Sequence, residues 1–132
     1  MRIRNECVID SSMDLNINIK GLECLVIAED LTHSTALTSI INTLKAEKLD
    51  IGVLVNNVGI LGPHWMPFLE MEEKDIKDIM NVNMTTTVSL CHALLPSMVK
   101  KGKGAIINIS SAASNFNVRY LATYTSSNTF VS

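Results

Sequence analysis

Two hydroxyl side chains, Ser111 and Tyr124, stand thirteen positions apart toward the carboxyl end of a 132-residue chain. Both can point at one carbonyl oxygen, and a phenol can in addition give or take a proton. Upstream, Asn83 offers a carboxamide facing inward from a long helix-like stretch. Taken singly these residues say little. Serine and tyrosine are common, and a tyrosine near a serine is more often a core or interface residue whose hydroxyl is satisfied locally. Their order and spacing carry the information.

The elements that must position them follow from periodicity. Cys24-Leu25-Val26-Ile27-Ala28 is a short apolar run of buried-strand type, closed by Glu29-Asp30. From Ser34 to Lys48, Leu37, Ile40, Ile41 and Leu44 fall on one helical face, with Thr32 or Ser34 as the expected cap. Ile51-Gly52-Val53-Leu54-Val55 is a second apolar run, broken by Asn56-Asn57-Val58-Gly59. Glu72 to Lys101 reads as helix, acidic at its start and basic at its end, with a kink or break expected at Pro96. Gly102 and Gly104 bracket the exit to a third run, Ala105-Ile106-Ile107-Asn108-Ile109, and a last helix starts at Tyr124. Residues 1–20 give only a weak strand-like alternation at Leu15, Ile17 and Ile19.

Strands alternating with helices predict an α/β fold with a parallel sheet and helices on its faces. Such sheets bind ligands at the carboxyl ends of their strands. Glu29-Asp30, Asn56-Asn57 and Ser110-Ser111 all fall at such ends.

Composition excludes several classes. Hydrophobic residues make up 47% of the chain, which is the profile of a globular domain and not of a disordered segment. A net charge of −2 gives no electrostatic footprint for nucleic acid or an anionic membrane surface. Cys7, Cys24 and Cys91 form no CxxC pair and are odd in number, against a disulfide framework. No metal site is expected, with His33, His64 and His92 read as structural or solvated. No apolar run is long enough to span a bilayer, and the polar start lacks a signal-peptide core.

The series Asp30-Leu31, Asn56-Asn57-Val58-Gly59, Asn81-Val82-Asn83, Ile107-Asn108-Ile109-Ser110-Ser111 and Tyr124 resembles the short-chain dehydrogenase/reductase family. In that family the catalytic serine precedes the tyrosine by about a dozen residues, which selects Ser111 and leaves Ser110 facing away. Val53-Leu54-Val55-Asn56-Asn57-Val58-Gly59-Ile60 and Leu95-Pro96-Ser97-Met98-Val99 look like the 17β-hydroxysteroid dehydrogenase and very-long-chain 3-oxoacyl-CoA reductase branch. The resemblance runs from Gly21 to Ser132 and implies the central part of a doubly wound, Rossmann-type domain with the first strands and the carboxyl-terminal part missing.

It also implies site roles. Asp30 and Leu31 would contact adenine, and Asn57, Val58 and Gly59 would line the adenosine side of NAD or NADP. Tyr124 would protonate the carbonyl oxygen while also touching the cofactor, Ser111 would hold that oxygen, and Asn83 would anchor a proton-relay water. The implied substrate is a lipid-like carbonyl or alcohol of steroid or 3-oxoacyl-CoA type. The helices near Asn83–Lys101 and after Tyr124 would pair two copies. By the same analogy the address is cytoplasmic or on the endoplasmic reticulum.

Two departures stand out. The family carries a lysine four residues after its tyrosine, whose ammonium favours the phenolate and grips the nicotinamide ribose; here the position is Asn128. The family's Gly-x-x-x-Gly-x-Gly turn, which lets pyrophosphate approach a helix N-terminus, has no counterpart among the 6 glycines. The expectation is an oxidoreductase domain that is inactive and poorly stable in this form. The competing expectation is a non-catalytic paralogue acting as a dimerisation or interaction module, which Asn128 favours.

Overall fold

The computed structural model describes residues 25–63, 65–116 and 118–132. The weak alternation within 1–20, Cys7, Cys24 and His64 lie outside the described residues. The chain divides into two compact units, 1–30 and 31–132.

In the first unit, 25–30 adopt no regular element. Of the strand expected over Cys24–Ala28, the described part, 25–28, is therefore not a strand. A strand exists only where its amide and carbonyl groups meet a ladder partner, and apolar sequence alone cannot supply one.

The second unit begins with turns over 31–35 and then α1, Ala36–Ala46. Its N-cap is Thr35, not Thr32 or Ser34, and the Thr35 side chain makes no cap hydrogen bond. Thr35 is itself already in the helical region, and the Ala36 amide bonds the His33 carbonyl at 3.2 Å, so the turns run straight into the helix. Ala36 and Leu44 are its buried positions.

Two strands follow the expected pattern, β1 over Val53–Asn56 and β2 over Ala105–Asn108. They pair in parallel, with Val53 opposite Ala105 and Asn56 opposite Asn108. Both runs are apolar enough to be covered on two faces, yet only one is. Asn56 reaches Cys91 of the neighbouring helix on that side, while Val53, Val55, Ile107 and Ile109 are 46–56% exposed on the other. Among the described residues, nothing covers that second face.

The stretch read as one long helix is α2, Glu73–Met80, a five-residue π turn, Asn81–Thr85, and α3, Thr86–Lys101. The ladder changes at the π turn, and α3 runs through Pro96 without a break. Pro96 deprives the His92 carbonyl of its helical donor, but both residues are exposed, so the carbonyl stays open to solvent. At the π turn side chains enter the ladder instead: Thr86 Oγ1 donates to the Asn81 carbonyl at 3.0 Å and Thr87 Oγ1 to the Asn83 carbonyl at 3.4 Å.

The exit from α3 needs two glycines. Gly102 is left-handed, with φ 67°, and ends the helix. A Cβ on Gly104 would stand 2.7 Å from Met98 Cβ and Cγ, closer than carbon atoms can approach. After β2 a short 3₁₀ turn, Ala112–Asn115, leads on to α4, Ala122–Val131, which opens two residues before Tyr124. No described helix is long and apolar enough to cross a membrane.

Among the described residues, the apolar core of Ala36, Leu44, Ile79, Val82, Met98 and Leu121 is matched by five buried polar residues, Asn56, Asn83, Thr86, Thr87 and Ser127. That many buried polar groups in so small an interior require partners. The partners they find define the site.

Candidate active site

A cavity of ≈ 240 Å³ opens where β1 and β2 end. Its wall after β1 is Asn56 to Gly59; its wall after β2 is Ile109 to Ser111. Asn83 and Thr87 close it from the π turn and α3, and Tyr124, Asn128 and Val131 from α4. Ser111, Tyr124, Asn83, Asn57, Val58 and Gly59 thus share one cavity, although they come from four separate stretches of chain. Asp30 belongs to the unit 1–30 and Leu31 to the turns before α1, and neither is among the lining residues.

Asn83 is 4% exposed and its carboxamide is almost fully used. Oδ1 accepts from the Ile60 amide at 2.8 Å, and Nδ2 donates to the Ile60 carbonyl at 3.0 Å and to Ser127 Oγ at 2.9 Å. The side chain therefore staples the loop after β1 to α4. It has no proton left to give, and its remaining acceptors are the second lone pair of Oδ1 and the main-chain carbonyl that Thr87 approaches.

Ser111 is the N-cap of the 3₁₀ turn: its Oγ accepts from the Ala113 amide at 3.2 Å, which leaves its own proton to donate. Ser110 was expected to face away, but it also lines the cavity, and its Oγ donates to the Asn128 carbonyl at 2.8 Å. The strand alternation behind that expectation stops at Asn108, where β2 ends. Asn56 supports the floor: its Nδ2 donates to Asn108 Oδ1 at 2.9 Å across the strand pair.

On α4, Asn128 Nδ2 donates to the Tyr124 carbonyl at 2.9 Å. Among the described residues the cavity is lined by amides, hydroxyls and apolar groups, with no charged side chain. Such a lining fits the nicotinamide carboxamide and ribose hydroxyls of a dinucleotide through hydrogen bonds. Its described residues do not fit a pyrophosphate, since they include neither a cation nor a glycine-rich helix N-terminus. Among the described residues no group of three or more His, Cys, Asp and Glu could hold a metal ion.

Sequence reasoning passed over Ser127, which is 1% exposed and bridges Asn83 to the Tyr124 carbonyl. The available signal was a small polar residue one helical turn after Tyr124, on the side of α4 that also carries the tyrosine.

A family model described as "short chain dehydrogenase" matches residues 10–132. The 17-beta-hydroxysteroid dehydrogenase type 3 of Danio rerio is 36% identical, over 97% of this chain and 42% of its own length. The very-long-chain 3-oxoacyl-CoA reductase of Macaca fascicularis is 41% identical, over 63% of this chain and 27% of its own. An inactive hydroxysteroid dehydrogenase-like protein 1 of Homo sapiens is 38% identical, over 62% and 25%. Among solved structures, a metagenomic short-chain oxidoreductase in complex with NADP superposes with a TM-score of 0.76 at 33% identity, covering 84% of this chain and 49% of that one. The chain spans less than half the length of each of these relatives.

Proposed function

The chain belongs to the short-chain dehydrogenase/reductase family, and from that membership we propose that its cavity is the catalytic end of a nicotinamide-dependent oxidoreductase site interconverting a carbonyl and an alcohol. The observation that carries this reading is the convergence of Tyr124, Ser111 and Asn83 on one cavity with the Asn57–Gly59 loop at the strand ends.

In the reducing direction the nicotinamide, when bound, supplies the hydride to the carbonyl carbon. Tyr124 gives its phenolic proton to the carbonyl oxygen as that oxygen gains charge. Ser111 donates its free proton to the same oxygen and holds it in place. Asn83 acts mainly by fixing the walls, and a relay water would be held by its remaining acceptors. Asp30 and Leu31 are assigned to adenine on family analogy. The substrate is a lipid-like ketone or alcohol of steroid or 3-oxoacyl-CoA type, and the analogy extends to a cytoplasmic or endoplasmic-reticulum address. NADP is the favoured cofactor, supported by the NADP complex of the similar metagenomic oxidoreductase. α3 and α4 pair two copies, and an exposed apolar stripe on α3, Val88, Leu95 and Val99, supports the pairing.

A second reading, a non-catalytic interaction module, is favoured by Asn128 in place of the lysine and by the similarity to an inactive relative. Reduced-nicotinamide fluorescence separates the two. The oxidoreductase reading expects saturable NADPH binding that is weakened by Tyr124→Phe. Absence of binding, with a stable dimer retained, would overturn it in favour of the module.

A further inference from the structure

We infer that Ser127 is a positioning residue of this site, coupling the loop after β1 to the helix that carries Tyr124. The inference rests on the reading of Tyr124 as the proton donor.

The coupling is a continuous run of hydrogen bonds. The Ile60 amide donates to Asn83 Oδ1 at 2.8 Å, Asn83 Nδ2 donates to Ser127 Oγ at 2.9 Å, and Ser127 Oγ donates to the Tyr124 carbonyl at 2.8 Å. Ser127 therefore accepts and donates at once, and both it and Asn83 are buried, at 1% and 4% exposure. Water cannot easily replace either partner. The other Nδ2 proton goes to the Ile60 carbonyl, so the Ser127 oxygen is the acceptor for the second.

Packing alone does not account for the hydroxyl. An alanine would fill nearly the same space and is a better helix former than serine, which competes for backbone groups within a helix. What serine adds is one acceptor for the Asn83 amide and one donor to the α4 backbone. One hydroxyl thus links two cavity walls, the Asn57–Gly59 loop, held through the adjoining Ile60, on one side and the Tyr124 segment on the other. Losing it leaves a buried N–H without a partner, which the structure relieves by moving one wall or the other.

The test uses Ser127→Ala in the 132-residue chain, with three readouts. Hydrogen exchange at the Ile60 amide, 67 positions away in sequence, is expected to speed up about tenfold while amides within α1 hold their rates. The Tyr124 ring resonances are expected to shift, and the Kd for NADPH to rise about fivefold. Unchanged exchange at Ile60, or an equal rise throughout α1, would overturn the inference by showing either no coupling or a general loosening. Ser127→Cys, close in size but a weak acceptor, is expected to fall between serine and alanine; a cysteine indistinguishable from serine shows that size alone matters and overturns it. If the unaltered chain does not bind NADPH, the oxidoreductase reading fails. The coupling is then decided by Ile60 exchange and the Tyr124 resonances, which need no nucleotide.

Discussion

Asn128 donates its side-chain amide to the main-chain carbonyl of Tyr124, 2.9 Å away and one turn back along the same helix. The residue that replaces the family's lysine therefore spends a donor on its own backbone instead of presenting a cation to the cavity. Asn128→Lys would put an ammonium beside the phenol and favour its ionised form. Alcohol oxidation, which needs a base, is expected to gain more than carbonyl reduction, which needs the protonated phenol. Initial rates in the two directions check this. An equal gain in both would assign the lysine to ribose binding instead.

Gly104 tests the packing at the opposite end of the sheet. Its missing Cβ leaves room for Met98, which is 4% exposed and whose Cβ and Cγ lie against it. Gly104→Ala places carbon against carbon at 2.7 Å and is expected to destabilise the fold by about 1–3 kcal/mol. The fall in the urea midpoint at constant m-value measures it. No change in midpoint would mean that the turn after Gly102 yields more readily than the packing implies.

The parts of this fold that were legible in sequence are those with local causes. The spacing of Leu37, Ile40, Ile41 and Leu44 gave α1, and the runs broken at Asn56 and Ser110 gave β1 and β2 to within a residue or two. The run from Leu25 to Ala28 failed because a strand depends on a partner that apolar character does not reveal. The π turn was hidden because its cause is the bonding of Thr86 and Thr87 hydroxyls to backbone carbonyls, which sequence periodicity does not report. The same holds within the site. Order and spacing single out Ser111, Tyr124 and Asn83, which all line the one cavity, whereas Ser110 and Ser127 owe their places to where β2 ends and to how α4 sits on the π turn.

Gly59 offers a way to tell ligand contact from fold. A Cβ there would lie 3.6 Å from Asn83 Oδ1, an ordinary contact, and its φ is not in the left-handed region. The protein itself does not require this glycine, so Gly59→Ala is expected to change stability by less than about 1 kcal/mol. If the adenosine side of the cofactor approaches the loop closely, NADPH affinity falls about tenfold all the same. Thermal melts and fluorescence titrations on one preparation separate the effects; full retention of affinity would move the ligand away from this loop.

The stripe on α3 bears on how two copies would meet. Val88, Leu95 and Val99 recur at spacings of seven and four, which places them along one side of the helix. Val99 is 69% exposed, so a charge there is nearly free in a monomer, costing less than about 0.5 kcal/mol. In a dimer packed through α3 the same charge would be buried without a partner and would split the pair. Val99→Glu is therefore expected to halve the mass seen by light scattering at micromolar concentration without lowering the melting temperature of the monomer. An unaltered chain that is monomeric across the whole concentration range would remove the dimer, and with it the structural support for the interaction-module reading.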